Sequence, residues 1–420
     1  MKFAAVIALF VAALSTAAGA SGRAPAGSPP INFGVADDAS KYADDGGAWF
    51  DQQLRGANLT ENRWTLAWDP SNPTTIRELP FLERAGPVAQ ANGVHVVLAL
   101  YSLKASQHDP VGFCGWAATV ATTVAAWGIH DYIVGNEPNT RLYWVPQKVG
   151  KRDQAARDYE ALLASCYDAI HAADPVANVI GMGLSPRAST SQSTEPLTFL
   201  RDVGAAYRAS PRSNPVTGLP LMDQLAVHPY PNPNSPADAP SVGYPSSLRF
   251  GIPNLDRVKQ AVYDAFNGTA QKTTIDGLSF RVDEVAWQVS TDPASSGSGL
   301  SAGDVQAMGY INQENVRTVS QQTQAAYLRQ MISRYFACDP TVTDVELFLL
   351  QDETSRDGRD ANGTVVGGGW QSGLLTAGAP DVAKQRLAYA TVAQLAALGR
   401  DACTAAPLAW SPVGKHRRRS

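Results

Sequence analysis

Two glutamates at the ends of apolar, β-rich segments are the strongest candidates for chemistry in this sequence. Glu137 follows an apolar run and stands between Asn136 and Pro138, and Glu284 ends the run Phe280–Asp283. Two carboxylates that face one cavity can cleave a glycosidic bond. One donates a proton to the leaving oxygen, and the other attacks the anomeric carbon or activates a water. Each glutamate has a structural alternative, because a carboxylate at a strand end can also cap a helix or pair with an arginine.

The segments that must position these glutamates recur along the chain. They alternate with stretches of helical periodicity such as residues 153–172 and 321–336. The predicted strands are Ile31–Val35, Arg63–Trp68, Val94–Tyr101, Asp131–Asn136, Val179–Leu184, Gln224–His228, Phe280–Val285 and Val345–Leu350. Eight strand–helix repeats predict an α/β fold, a (β/α)8 TIM barrel with a single catalytic domain over residues 31–405. A doubly wound sheet is the alternative, but the sequence lacks the glycine-rich phosphate loop that usually accompanies it.

In such a barrel, catalytic residues lie where the strands end at the C-terminal face. Glu137 ends the fourth predicted strand and Glu284 ends the seventh, so both are expected at one mouth. The seventh strand offers a second acid, Asp283. Strict alternation places Glu284 on the face of Phe280 and Val282, with Asp283 on the other face. Glu284 is preferred, and Asp283 stays an alternative.

These residues resemble clan A retaining glycoside hydrolases, the cellulase-like and xylosidase-like (β/α)8 superfamily, over about residues 31–400. No family within the clan is resolved. In that clan an Asn-Glu pair ends strand four and a second glutamate ends strand seven. The resemblance therefore implies that Glu137 is the acid/base and Glu284 the nucleophile. It also implies that Asn136 holds the 2-hydroxyl of the sugar.

The same resemblance assigns roles to residues on other strands. Arg63 matches the arginine that hydrogen-bonds the nucleophile and keeps it charged. His228 and Tyr230 match a pair beside the nucleophile, in which Tyr230 orients Glu284. The clan's tryptophan at the end of strand eight is missing from residues 345–351, and Trp370 or Trp287 is expected to substitute.

Aromatic side chains at strand ends suit sugar binding, because their faces stack on pyranose rings. Trp68 ends the second predicted strand and Trp287 follows the seventh, so both are expected to contact substrate at the mouth. Trp370 joins them from the region after strand eight.

The two ends and the cysteines indicate export. Residues 1–20 have the charged start, apolar run and small-residue end of a secretory signal peptide. Residues 21–30 read as a flexible leader and 406–420 as a basic tail. The apolar run is too short to span a membrane comfortably, and no later stretch is long enough.

An exported protein can form disulfides. Four cysteines allow three pairings, of which Cys114–Cys166 and Cys338–Cys403 are favoured, since each joins helices that are neighbours in a barrel. Buried free thiols are the alternative.

Composition narrows the function classes. The 420 residues are 44% hydrophobic, which excludes a disordered chain, and the net charge of −4 argues against broad nucleic-acid binding. No motif indicates a cofactor or a metal. We therefore predict a secreted, monomeric hydrolase that cleaves β-linked oligo- or polysaccharides by retaining double displacement. A non-catalytic carbohydrate-binding barrel and a transglycosylase on the same site are the alternatives.

Overall fold

A computed structural model describes residues 27–231, 238–295, 297–311, 313, 316–354, 358–359, 365–366 and 369–413. The predicted signal peptide (1–20) lies outside the described residues. The same holds for residues 21–26 of the predicted leader and residues 414–420 of the predicted basic tail.

The described residues form a closed barrel of eight parallel strands, which confirms the predicted (β/α)8 fold. The strands are β1 (Asn32–Ala36), β2 (Glu61–Trp68), β3 (His95–Ser102), β4 (Asp131–Val134), β5 (Asn178–Leu184), β6 (Gln224–Val227), β7 (Ser279–Val285) and β8 (Val342–Leu347). Each strand pairs with its sequence neighbours, and β8 closes the barrel against β1.

Helices surround the barrel and connect its strands. They are α1 (Ala39–Tyr42), α2 (Ala48–Gly56), α3 (Leu79–Ala91), α4 (Pro110–Val124), α5 (Gln154–Ala173), α6 (Pro196–Arg208), α7 (Leu255–Phe266), α8 (Ala302–Met308), α9 (Gln321–Met331) and α10 (Leu387–Leu398). Two short antiparallel ribbons, Lys148–Val149 with Arg152–Asp153 and Gly358–Arg359 with Val365–Val366, lie in the loops after β4 and β8. The longest helix, α5, begins where the side chain of Asp153 accepts a hydrogen bond from Ala156 N, a standard N-cap.

Alternation along the strands separates an outer and an inner layer. Side chains such as Trp64, Leu66 and Val282 are buried in the large apolar core that the helices cover. Inside the barrel lies a second, small apolar cluster, made of Val97, Ala99, Ile133, Ile180 and Ala226. The remaining inward positions carry an unusual number of charged residues.

Below the small apolar cluster, toward the N-terminal ends of the strands, one arginine is surrounded by carboxylates. We call Glu61, Asp131, Arg281, Asp344 and Glu346 the floor cluster. Arg281 Nη1 donates to Glu61 Oε2 at 2.9 Å and also to Glu346 Oε1. Its Nη2 lies 3.4 Å from Asp344 Oδ1 and 3.8 Å from Asp131 Oδ1. Burial raises the pKa of Glu61 and Glu346, and the charge of Arg281 offsets this only in part.

Two disulfides fasten the outer ring of helices. Cys114 of α4 is bonded to Cys166 of α5, and Cys338, which precedes β8, is bonded to Cys403 after α10. Both predicted pairings are therefore confirmed. Within the part of the chain that the structure describes, no helix has the length and apolar character needed to cross a membrane.

Candidate active site

Strand β2 and the C-terminal ends of β4, β6 and β7 bring seven polar residues together at the mouth of the barrel. We call this set the mouth cluster; it consists of Arg63, Asn136, Glu137, His228, Tyr230, Asp283 and Glu284. These residues include both predicted catalytic glutamates. Both glutamates are partly open to solvent, with side chains 19% and 16% exposed for Glu137 and Glu284.

The backbone after β4 presents Glu137 in an uncommon conformation. Its φ of 42° lies in the left-handed region, which residues other than glycine rarely adopt. The Glu137 N–H donates to Gly183 O of β5 at 2.9 Å, and this bond holds the turn in place. Such backbone strain is concentrated at functional sites in proteins.

A β-bulge in β7 places Glu284 inside the mouth. The pairing with β8 advances from Val282 to Val285 on β7 while β8 advances by only two residues, from Val345 to Leu347. The extra residue lets Asp283 and Glu284 both reach the interior. The prediction from strict alternation was wrong about the faces, because Phe280 and Val282 pack outward in the core that the helices cover.

Glu284 is held by two donors on different strands. Arg63 Nη1 donates to Glu284 Oε1 at 2.9 Å, and the Tyr230 hydroxyl donates to Oε2 at 3.1 Å. Arg63 Nη2 also donates to Asn136 Oδ1 at 2.9 Å. With this oxygen engaged, the Nδ2 amide is the part of Asn136 that can donate to a sugar hydroxyl. One guanidinium thus fixes the carboxylate and the amide relative to each other.

His228 connects the two glutamates beneath the surface. Its ring is fully buried, and Nδ1 lies 3.0 Å from Glu137 Oε1 and 3.7 Å from Glu284 Oε2. The other nitrogen, Nε2, lies 3.1 Å from Asp283 Oδ2. Burial alone lowers the pKa of this histidine, but the charges of Asp283 and Glu284 outweigh burial and raise the pKa well above its ordinary value. The raised pKa favours the imidazolium form, which can donate from both nitrogens.

The position of Asp283 favours Glu284 as the acid that meets substrate. The Asp283 side chain is fully buried, and Arg63 Nε lies 3.5 Å from Oδ2. Burial alone raises the pKa of Asp283, but His228 and Arg63 outweigh it and lower the pKa. Asp283 is thus a buried, charged partner of His228, while Glu284 keeps an opening to the mouth.

Of the three tryptophans expected at the mouth, Trp370 is placed there. It is half-buried, and its ring centroid lies 6.1 Å from that of Tyr230 and 5.8 Å from that of Phe348. Phe348 follows β8 where the clan commonly has a tryptophan. Phe348 and Tyr101, which stands edge-on to Tyr143 beside Asn136, are half-buried aromatic residues that the sequence reasoning missed.

The prediction was wrong for Trp68 and Trp287. Trp68 is 2% exposed and lies on the outward face of β2 with Trp64, and its Nε1 donates to Pro73 O. Trp287 is 1% exposed, and its Nε1 donates to Asp238 O. Both indoles fill the apolar core, so neither is available to a sugar.

The fold has known structural relatives at low sequence identity. A family 39 glycoside hydrolase from Bacteroides cellulosilyticus WH2 aligns with a TM-score of 0.54 and 17% identity over 88% of this chain and 64% of its own. A monomeric beta-xylosidase from Caulobacter crescentus CB15 aligns with a TM-score of 0.52 and 14% identity, over 90% and 70%. GH5_18 from Streptomyces cattleya, solved with GlcNAc, aligns with a TM-score of 0.53 and 14% identity, over 94% and 83%.

These likenesses establish the barrel fold, and they agree with the resemblance to (β/α)8 glycoside hydrolases stated from the sequence. This chain spans less than two thirds of the length of the first of these relatives. No protein-family model matches the sequence, and a search of curated proteins finds no match. The family therefore stays unresolved.

Proposed function

We propose that this protein is a retaining glycoside hydrolase that cleaves β-linked oligo- or polysaccharides. The observation that carries the proposal is the convergence of two partly open carboxylates, Glu137 and Glu284, on one buried histidine ring, His228. Glycosidic cleavage needs two carboxyl groups on opposite sides of one bond. The structural relatives described above are glycoside hydrolases, which is consistent with this chemistry.

In the proposed first step, the Glu284 carboxylate attacks the anomeric carbon while protonated Glu137 gives its proton to the leaving oxygen. The glycosidic bond breaks, and a covalent glycosyl ester forms on Glu284. In the second step, Glu137 accepts a proton from water, and the resulting oxygen nucleophile displaces Glu284. The free sugar leaves, and both glutamates return to their starting states.

Contacts with one histidine ring keep the two glutamates close together, and the proposed retaining mechanism requires this closeness. His228 Nδ1 lies 3.0 Å from one carboxylate oxygen and 3.7 Å from the other. The direct distance between these two carboxylate oxygens is shorter than the sum of their distances to Nδ1. Retaining enzymes hold their carboxyl groups about 5–5.5 Å apart, whereas inverting enzymes leave roughly 6.5–9.5 Å for a water.

Three neighbours prepare these glutamates for their proposed roles. Arg63 and Tyr230 occupy one oxygen each of Glu284, which orients the carboxylate for attack. Asn136 is proposed to bind the 2-hydroxyl, a contact that strengthens in the transition state. Trp370 is proposed as an apolar surface for the sugar ring.

Secretion is part of the proposal. Residues 1–20 carry the pattern of a signal peptide, and two disulfides are typical of proteins that fold in an oxidising compartment.

The test uses aryl β-glycosides and β-linked polysaccharides with the wild type, Glu137→Ala, Glu284→Ala and a surface control, Glu83→Ala. We expect Glu284→Ala to lose at least roughly 1,000-fold in kcat, which corresponds to about 4 kcal/mol. Glu137→Ala should lose about 100- to 10,000-fold, and less for leaving groups that need little protonation. Added azide should restore turnover to Glu284→Ala and yield a glycosyl azide of inverted configuration.

Full activity in either variant contradicts the assignment of that glutamate. Binding of saccharides without turnover by the wild type points to a carbohydrate-binding barrel. Release of transfer products in place of free sugar points to a transglycosylase.

A further inference from the structure

A cavity lies at the C-terminal face of the barrel, among the loops after β4, β5 and β6. This cavity has a volume of about 640 Å³, within the range of roughly 300–1,000 Å³ that is typical of ligand sites. We call it the basic cleft, because its lining includes four cationic residues. They are Lys148, Lys151, Arg187 and Arg249. They come from the loops after β4, β5 and β6, so the basic cleft lies at the C-terminal face of the barrel, as the mouth cluster does.

Hydrogen bonds join the wall of the basic cleft to the turn that carries Glu137. Asn139, two residues after Glu137, accepts from Ser185 N at 3.1 Å through its side chain. The Asn139 backbone carbonyl accepts from Thr194 N at 3.0 Å, and Thr194 lines the basic cleft. The wall of the basic cleft and the turn of Glu137 are therefore connected through buried hydrogen bonds.

The proposed chemistry defines which part of a substrate lies beside Glu137. Glu137 gives its proton to the leaving oxygen, so the leaving-group sugar must lie against Glu137 and extend away from Glu284. The basic cleft lies at the same face of the barrel as Glu137, and its cationic residues come from the loop that follows Glu137 and from the loops after β5 and β6.

The charges in the basic cleft are unevenly paired. Arg249 forms a close pair with Glu195, at 2.6 Å. Among the described residues, no carboxylate lies within 4.0 Å of Lys148, Lys151 or Arg187. Two further acids line the cleft. Asp153 caps α5, and Asp202 has Lys148 as its nearby cation. Lys151 and the half-buried guanidinium of Arg187 are thus left without a close carboxylate and can face a ligand.

The rest of the lining consists of hydrogen-bonding groups. Hydroxyl side chains contribute most of it, from Ser189, Thr190, Ser191, Ser193, Thr194 and Thr198, and the lining includes no aromatic ring. A ligand here is held by charge and hydrogen bonds and not by stacking. This differs from the opposite side of the mouth, where Tyr101 and Tyr143 stand beside Asn136.

We propose that the basic cleft is a leaving-group subsite that binds an anionic saccharide unit, so that the enzyme acts on acidic glycans. The recognised group is a planar or tetrahedral oxyanion, either the carboxylate of a uronosyl residue or a sulfate ester. Arg187 presents a fork of donors that matches either group, and Lys148 and Lys151 add charge at the rim. This inference rests on the proposed glycosidase function and names the substrate class for it.

The test compares three β-linked substrates that share the same glycone and differ in the leaving-group sugar, which is neutral, uronosyl or sulfated. The readout is the ratio of kcat/KM for each acidic substrate to that for the neutral one. The variants are Arg187→Ala, the double variant Lys148→Ala/Lys151→Ala, and a control on an exposed lysine outside the cleft, Lys272→Ala. The double variant removes exposed side chains only, so it tests the proposal even where Arg187→Ala folds poorly.

We expect the wild type to prefer at least one acidic substrate, with the preference weakening as ionic strength rises. Arg187→Ala should lower that ratio roughly 10- to 100-fold, the range for hydrogen bonds to charged groups. The double variant should lower it as well, and Lys272→Ala should leave it unchanged. The uronosyl and sulfated arms identify which oxyanion is recognised.

The inference is overturned if the wild-type ratio of kcat/KM for acidic to neutral substrate is near one, or if neither cleft variant changes it. Either result leaves the proposed glycosidase function standing. Failure of the proposed function is distinguished by calorimetry of Glu284→Ala with the acidic disaccharides. If binding requires Arg187 but the wild type shows no turnover, the anion site is supported and the proposed glycosidase function is contradicted.

Discussion

The barrel interior contains two clusters with the same residue types but different roles. Both the mouth cluster and the floor cluster place one arginine among carboxylates, and in both the carboxylates outweigh burial and raise the arginine pKa. In the floor cluster the side chains are 0–12% exposed, and Arg281 is shared among four acids. In the mouth cluster, Glu284 has separate donors for its two oxygens and an opening to solvent.

The difference shows what turns a buried charge network into a reactive one. Hydrogen bonding alone does not separate the two clusters, because Asp131 and Asp344 of the floor cluster also have a separate partner for each carboxylate oxygen. The mouth cluster differs in its access to solvent, which admits a substrate to a carboxylate that Arg63 and Tyr230 already orient. We therefore expect substitutions in the floor cluster to lower stability and substitutions in the mouth cluster to lower turnover.

The largest expected effect is on stability, from Arg281→Met. Its removal leaves Glu61 and Glu346 buried without a counter-charge, which should destabilise the fold by about 3–5 kcal/mol. Urea unfolding followed by tryptophan fluorescence measures this loss. The matched control is Arg201→Met on the exposed surface of α6, where the pair with Asp264 should be worth no more than about 1 kcal/mol.

Activity of the folded fraction should change little in Arg281→Met. If Arg281→Met is stable but loses most of its kcat, the floor cluster acts in turnover, and the proposed difference between the two clusters is contradicted.

A smaller effect, on turnover, is expected from Arg63→Lys. Lysine keeps the charge but cannot donate to Glu284 and Asn136 together, as the guanidinium does. Loss of one hydrogen bond between charged groups is worth about 1.5–3 kcal/mol, so kcat/KM should fall roughly 10- to 100-fold. Steady-state kinetics measure the loss, with urea midpoints recorded in parallel. A large drop in stability without a loss of kcat/KM places Arg63 with the floor cluster instead.

The smallest effect is a pH dependence that belongs to the mouth cluster. The pKa of His228 is higher in the folded chain than in the unfolded chain, where it is about 6.5. Its contribution to stability is therefore fully present below pH 6.5 and is lost as the pH rises toward the folded pKa. Across that window the difference in unfolding free energy between wild type and His228→Gln should shrink by up to about 1.4 kcal/mol per pH unit.

Urea titrations of both proteins at several pH values from 6 to 9 measure this difference. A difference that stays constant over this range contradicts a charged His228.

Sequence patterns located the elements well because each strand is a short apolar run between helices. All eight observed strands overlap the predicted ones, and β2 begins two residues early, at Glu61, because this acid belongs to the floor cluster. The floor cluster also had a sequence signal, since charged residues at alternate positions of one strand, Asp344 and Glu346, point to the same interior.

The wrong predictions for Trp68 and for the face of Glu284 arose because the direction of each side chain was assigned incorrectly. Arg63 faces the barrel interior, so alternation along β2 turns Trp64 and Trp68 outward, toward the helices. The burial of Trp68 could therefore have been predicted from the direction of Arg63. Glu284 is the opposite case. Alternation assigns its face incorrectly because the bulge in β7 depends on pairing with β8, and no residue type in Phe280–Val285 marks that register.

The bulge in β7 also affects how this site can be redesigned. In a regular strand, moving an acid by one position sends it to the opposite face. Here positions 283 and 284 both point inward, and the shorter side chain reaches His228 while the longer one reaches Arg63 and Tyr230. The distance between the two carboxyl groups at the mouth is therefore adjustable through side-chain length at one dipeptide, on a backbone that stays fixed.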